Sequence, residues 1–321
     1  MPQQAAKLKS ALPSVRMLPD MIHVGFAKAA STYLQSFFRQ HPQLHLVFKA
    51  NFFAPFASCE YPEGFGAYED LFRPAGKDQV RIESDEHLIL PMIHPTLGVR
   101  AITRDSSDEV LHRLVQCVPS SKVLLVLRNQ TDMLLSTYSQ YLLGGGTLSC
   151  NAFIRELLQC QNDGNEYFCA YFAEIIQKFE AAYDSRLLVL LLEDFGSNNQ
   201  AILDRVCSFL DVTPLLFRGS FKAHRKGLSA FGFRVLRRLN QSLTITHDGR
   251  YEPRQKISFD SYHRLCNFIR VVDHYCMPLG RSRRSALDAE TLNQIERTFS
   301  DDNQHLSVRM RRNLVSLGYR V

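Results

Sequence analysis

Ten consecutive residues, His23-Val24-Gly25-Phe26-Ala27-Lys28-Ala29-Ala30-Ser31-Thr32, bring together one lysine, several small residues and two adjacent hydroxyls. Ala29 and Ala30 let backbone come close to a ligand, Lys28 supplies a point charge, and Ser31 and Thr32 donate hydrogen bonds. At the start of a helix this set suits a phosphate or a sulfate, because the exposed N–H groups and the helix dipole favour an anion. A nucleoside-triphosphate loop would read G-x-x-x-x-G-K-[ST]. Here Lys28 follows Gly25 by three positions, and no Gly-Lys-Ser/Thr occurs anywhere. The plainer alternative is a strand–helix turn capped by Ser31.

A second set follows a run of apolar residues. Arg128-Asn129-Gln130-Thr131-Asp132 succeeds Lys-Val-Leu-Leu-Val-Leu, and Ser136 stands eight residues beyond Arg128. An arginine at the carboxyl edge of a parallel sheet occupies the place where open α/β folds bind ligands. Its guanidinium grips phosphate in fork geometry, with the Ser136 hydroxyl two helical turns on. An Mg²⁺-dependent ATPase would want an acid where Arg128 stands.

Several elements must hold these groups in place. Residues 21–25 and 44–48 read as strands, with a helix over 31–40 between them that His41-Pro42 ends. Residues 79–83 are strand-like, and the spacing of Val110, Leu111, Leu114 and Val115 predicts a helix over 105–118. Residues 122–127 and 187–192 are apolar nearly throughout, as strands buried on both faces are. Further helices are expected over 131–143, 150–160, 166–182, 198–210, 230–241, 260–274 and 288–298. Residues 51–76, rich in Phe, Tyr, Pro and Gly, show little periodicity and read as irregular chain lining or covering a cleft. Strands alternating with helices predict a parallel sheet with right-handed crossovers.

Together the two motifs resemble those of the sulfotransferases that use 3′-phosphoadenosine 5′-phosphosulfate (PAPS), the bacterial and heparan-type branch more than the cytosolic one. Lys28-Ala29-Ala30-Ser31-Thr32-Tyr33-Leu34 is similar to that family's 5′-phosphosulfate loop, Lys-x-Gly-Thr-Thr/Ser-x-x-Leu. Arg128 with Ser136 is similar to its 3′-phosphate site, although Gln130 stands where proline is usual. Leu192-Glu193-Asp194-Phe195 and Phe209-Leu210-Asp211-Val212 are fainter likenesses. The resemblance spans residues 21–212. It implies a P-loop-like three-layer α/β fold, a central parallel sheet flanked by helices. The first 20 residues, polar and carrying prolines, read as a flexible lead-in, and the resemblance implies one domain over 21–321, with its core in 21–212 and a helical part in 213–321.

The resemblance also implies roles. Lys28 would bridge the 5′-phosphate and the sulfuryl group, and Ala29, Ala30, Ser31, Thr32 and Tyr33 would hold the same end. Arg128 and Ser136 would take the 3′-phosphate. His224-Arg225-Lys226-Gly227 is comparable with the Arg-Lys-Gly that grips that phosphate in cytosolic members, on surroundings that match poorly. PAPS would be the donor and PAP the product, with no metal. Relatives place a basic Glu in Lys-Glu-x-x-Phe-Phe; this chain reads Lys49-Ala50-Asn51-Phe52-Phe53. The base is therefore sought in Ile82-Glu83-Ser84-Asp85-Glu86-His87-Leu88, with Glu86 first, His87 second and Glu83 third. Capping of a helix start is the alternative there, and the aromatics of 52–72 are expected to shape the acceptor cleft.

Bulk properties agree with this reading. The 321 residues are 45% hydrophobic and 22% charged, with a net charge of +6, which gathers anions without the density of a nucleic-acid binder. The basic stretches 281–284 and 309–312 read as solvated surface. Eight cysteines show no CxxC and no metal-ligand spacing, which suits a reducing compartment. No apolar run makes a signal peptide or a membrane span, so a cytoplasmic protein without a membrane partner is expected. The acceptor would be a small molecule or a carbohydrate, through a hydroxyl or an amine. Two other readings stand beside this one: a nucleotide kinase or NTPase with a variant phosphate loop, and a non-catalytic adenine-nucleotide-binding protein.

Overall fold

The computed structural model describes residues 17–50, 52–53, 65–89, 104–159, 170–196, 198–219, 227–245, 256–257, 259–276 and 282–321. Five parallel strands, β1 (Met21–Gly25), β2 (Leu44–Phe48), β3 (Val80–Ser84), β4 (Lys122–Leu127) and β5 (Leu187–Leu191), form one sheet in the order β2-β3-β1-β4-β5. The neighbouring strands β1 and β4 are the most buried: β1 at every position and β4 at every position after Lys122.

From β1 the chain travels one way across the sheet to reach β2, and from β3 it travels the other way to reach β4. With right-handed crossovers, α1 (Ser31–Gln40) therefore covers one face. The same rule sends α2 (Phe65–Asp70), α3 (Arg104–Cys117), α4 (Gln130–Leu143), α5 (Cys150–Gln159) and α6 (Phe172–Tyr183) to the other face. Side chains agree with this. Ser84, opposite His23 in register and hydrogen-bonded to it, meets Gln35 of α1, whereas Glu83, opposite Ile22, meets Tyr68 of α2.

On the α1 face, Tyr33 and Phe37 pack edge-on against Phe217, and Tyr33 also against Phe195, which precedes α7 (Asn199–Leu210). The rest of the described chain is α8 (Ala230–Ser242), the short pair β6 (Thr244–Ile245) and β7 (Lys256–Ile257), α9 (Phe259–Cys276) and α10 (Ala289–Met310). One apolar core runs without interruption from Met21 to Tyr319. Cys117, Cys150, Cys207 and Cys266 are buried within the structure.

Several elements depart from the sequence expectation: α6, expected over 166–182, starts at Phe172, and the short β6/β7 pair was not expected. The aromatic stretch after β2 is not wholly irregular, since it contains α2. Its described rings, Phe52, Phe53, Tyr68 and Phe72, are core, and Phe52 stacks on Tyr68 at 4.5 Å between centroids. They pack with one another and do not line an open cleft. The last helix, expected to stop at residue 298, continues to Met310. The polar run that disguised its second half has partners. The Asp302 carboxylate accepts from the N–H groups of Ala173 (3.1 Å) and Glu174 (3.3 Å) at the start of α6, and Asn303 exchanges hydrogen bonds with Gln130. Among the described residues no helix is long and apolar enough to cross a membrane.

Candidate active site

The carboxyl ends of β1, β3 and β4 converge. After Gly25 the chain turns through residues 26–30, with Lys28 at φ 69° and Ala30 at φ 63°, both in the left-handed region. Residues other than glycine adopt that region at some cost. Ala30 is the N-cap of α1 and offers no side-chain oxygen to the orphan N–H groups of the first turn. Ser31 does not cap the helix: its hydroxyl is buried and has no hydrogen-bond partner. A buried, unpartnered hydroxyl beside an uncapped helix start, with Lys28 in the same loop, is an arrangement that an anion completes. Thr32 is exposed, whereas the Tyr33 ring is only 2% exposed and lies in the core. Ala29 is buried.

Arg128, at the end of β4, donates from Nη1 to the Lys28 carbonyl at 2.8 Å and so braces the loop from the neighbouring strand. Asn129 caps α4 by accepting from the N–H of Asp132, and its own N–H donates to Glu193 Oε1 at 2.8 Å. Glu193 is also the acceptor for Tyr319 Oη at 3.3 Å. The stretch 281–284, expected as solvated surface, in fact packs here over its described part. Arg284 forks onto Asp132 with both contacts at 3.0 Å, and Arg283 is half-buried.

Gly227 has a local role, because a Cβ there would fall 2.1 Å from Arg283 Nη2, so the guanidinium passes directly over bare backbone. Arg225 and Lys226 lie outside the described residues. Burial lowers the pKa of Arg128, which Asp132 raises and Arg283 lowers further; burial likewise lowers that of Arg283. With Asp132 engaged by Arg284, positive charge is in excess around Arg128. Ser136 is half-buried one turn beyond Asp132, on the same side of α4.

Beyond β3, Glu86 and His87 sit together, and Glu83 does not join them. Glu86 Oε1 lies 3.5 Å from His87 Nε2 and 4.0 Å from Lys49 Nζ, while Gln35 Nε2 donates to Glu86 Oε2 at 2.9 Å. His87 has its pKa lowered to about 3, by burial first and then by the charges of Lys49 and Lys28, so its ring is neutral. Its Nδ1 is buried without a partner. Glu83 points to the opposite face of the sheet, fully buried beneath Tyr68, and burial pushes its pKa up to about 8. Ala50 is half-buried against the core.

Sequence reasoning overlooked Gln35, Ser84, Arg283 and Arg284. Gln35 left a trace, as the polar residue on the buried side of a helix that otherwise presents Tyr33, Leu34, Phe37 and Phe38.

A family model described as sulfotransferase domain matches residues 18–265. Among solved structures, the chain is similar in fold to a sulfotransferase from Alicyclobacillus acidocaldarius. The identity is 16% over 93% of this chain and 98% of that one, with a TM-score of 0.54. Mouse sulfotransferase SULT7A1 complexed with PAP aligns over 88% of this chain and 83% of that one, at 12% identity and a TM-score of 0.44. No curated protein matches the chain.

Proposed function

The chain belongs to the sulfotransferase domain family, and from that premise we propose that it transfers a sulfuryl group from PAPS to a hydroxyl or amine of a small-molecule or carbohydrate acceptor. One observation carries the choice of donor. The uncapped start of α1, with Lys28 and the unpartnered Ser31 hydroxyl, lies across a single hydrogen bond from a second cationic set, Arg128 with Arg283. Two neighbouring anion sites suit a nucleotide that carries charge at two ends.

PAPS, when bound, supplies the activated sulfuryl group and takes up the charge its departure leaves on the 5′-phosphate. Lys28, the Ser31 and Thr32 hydroxyls and the first N–H groups of α1 hold that end and stabilise its growing charge. Arg128 and Ser136 hold the 3′-phosphate, with Arg283 beside them. Glu86 takes the proton of the acceptor. His87, whose ring resists protonation in this setting, is the weaker candidate for that task and serves as a neutral neighbour. Ala29 and Ala30 keep the loop narrow enough for backbone to reach the anion.

Calorimetric titration with PAP, beside ATP plus Mg²⁺, tests the reading. Micromolar or tighter PAP binding is expected, with at least a tenfold loss in Arg128→Ala. Adenosine 5′-phosphosulfate, which lacks the 3′-phosphate, should be less affected by that substitution. Binding of Mg-ATP without PAP would point to a nucleotide kinase instead.

A further inference from the structure

A chain of buried polar groups runs from the middle of the sheet to Glu86. His23 is fully buried in β1, and its Nδ1 lies 2.9 Å from Ser84 Oγ. Gln35, 4% exposed on α1, uses the same amide nitrogen twice, donating to Ser84 Oγ at 3.0 Å and to Glu86 Oε2 at 2.9 Å. The direction of the two Gln35 bonds follows from proton count. An amide nitrogen carries two protons, and both are spent. Turning the amide over would set its carbonyl against the Glu86 carboxylate. Ser84 accepts from Gln35 and pairs through the same hydroxyl with Nδ1 of His23. The buried His23 ring, with its pKa lowered to about 4, is neutral.

We infer that Gln35 is a positioning residue for the base. It occupies Oε2 of Glu86 and leaves Oε1, which faces Lys49 and His87, to receive the acceptor's proton. The inference rests on the sulfotransferase reading above. Its strength lies in the place of Gln35 on α1. Four residues after Ser31, it projects from the same side of the helix one turn on. One rigid helix thus carries a hydroxyl for the donor and an amide for the base, and sets the separation between them. The Ser84–His23 pair supports the amide from behind.

The test uses Gln35→Met, close in shape but unable to donate, and Gln35→Glu, which sets a second carboxyl against Glu86. PAP release from PAPS is followed from pH 5 to 9 with 2-naphthol as a phenol probe and with water alone, beside calorimetric PAP affinity and thermal unfolding. Gln35→Met should lose 10- to 100-fold in turnover with PAP affinity within threefold of wild type. The acidic limb of its pH profile should move up by about one unit, because a hydrogen bond to the charged carboxylate is gone. Gln35→Glu should move the limb further in the same direction. Glu86→Gln should abolish the limb. A limb that stays in place in both Gln35 variants overturns the inference, as does a loss of turnover matched by an equal loss of PAP affinity. Failure of the wild type to bind PAP would instead remove the reading on which the inference rests.

Discussion

At the scale of single residues, the site is organised by what is left unsatisfied. Ser31 presents a buried hydroxyl without a partner, and His87 a buried ring nitrogen without one. Such groups cost about 1–3 kcal/mol each when nothing meets them, so a ligand that meets Ser31 gains what folding gave up. Lys28 follows the same logic with charge. Lys28→Ala should leave the unfolding temperature within a few degrees of wild type and lower sulfuryl transfer at least 100-fold, measured as PAP released from PAPS. Lys28→Arg should recover part of the rate, because charge returns in the wrong shape. An unchanged rate in Lys28→Ala would remove the lysine from the chemistry. These residues were legible in the sequence because lysine, small residues and hydroxyls cluster within five positions. Arg283 was not, since nothing local distinguishes a guanidinium that packs against Gly227 and the start of α4 from one in water.

At the scale of elements, the sheet divides its polar residues between two faces, and this gives the protein opposing responses to pH. Glu83 titrates near 8 in the folded chain against 4.5 when exposed. Folded protein therefore holds more protons between those values, and stability is lost as pH rises through that window. His23 and His87 behave oppositely: with folded values of about 4 and about 3 against 6.5, the unfolded chain binds the extra protons, and stability falls as pH drops below 6.5. Glu83→Gln should match wild type near pH 5 and exceed it at pH 9, by a difference on the order of a few kcal/mol. Urea unfolding at the two pH values reads this directly, and a constant difference would mean that Glu83 is charged in the fold.

The five strands of the main sheet were legible almost to the residue, because β1, β4 and β5 are apolar runs bounded by polar or turn residues. Helix α2 was not, because six residues among prolines and aromatics are too few to show a period. The second half of α10 was hidden because its polar residues answer to α4 and α6 rather than to solvent.

At the scale of the whole molecule, the last described residues return to the first motifs. Tyr319 is 2% exposed, and its hydroxyl donates to Glu193, which in turn holds the backbone at Asn129 next to Arg128. Arg312 forks onto Asp194 at 2.8 and 3.0 Å. Tyr319→Ala should therefore destabilise the fold by about 3 kcal/mol through lost burial, and should also raise the PAP dissociation constant several-fold. A stability loss in urea with unaltered PAP affinity would separate the carboxyl-terminal turn from the nucleotide site.

The hydrogen bond from Arg128 to the Lys28 carbonyl has a consequence of its own. If Arg128 holds the 3′-phosphate as proposed, a residue that braces one anion cradle while serving another would make the two thermodynamically interdependent. Fragments of the ligand should then report poorly on the whole: sulfate alone, or adenosine 3′,5′-bisphosphate stripped of one phosphate, would engage a cradle whose twin is unfilled. Summed fragment affinities should fall short of the intact nucleotide by the coupling this one guanidinium transmits.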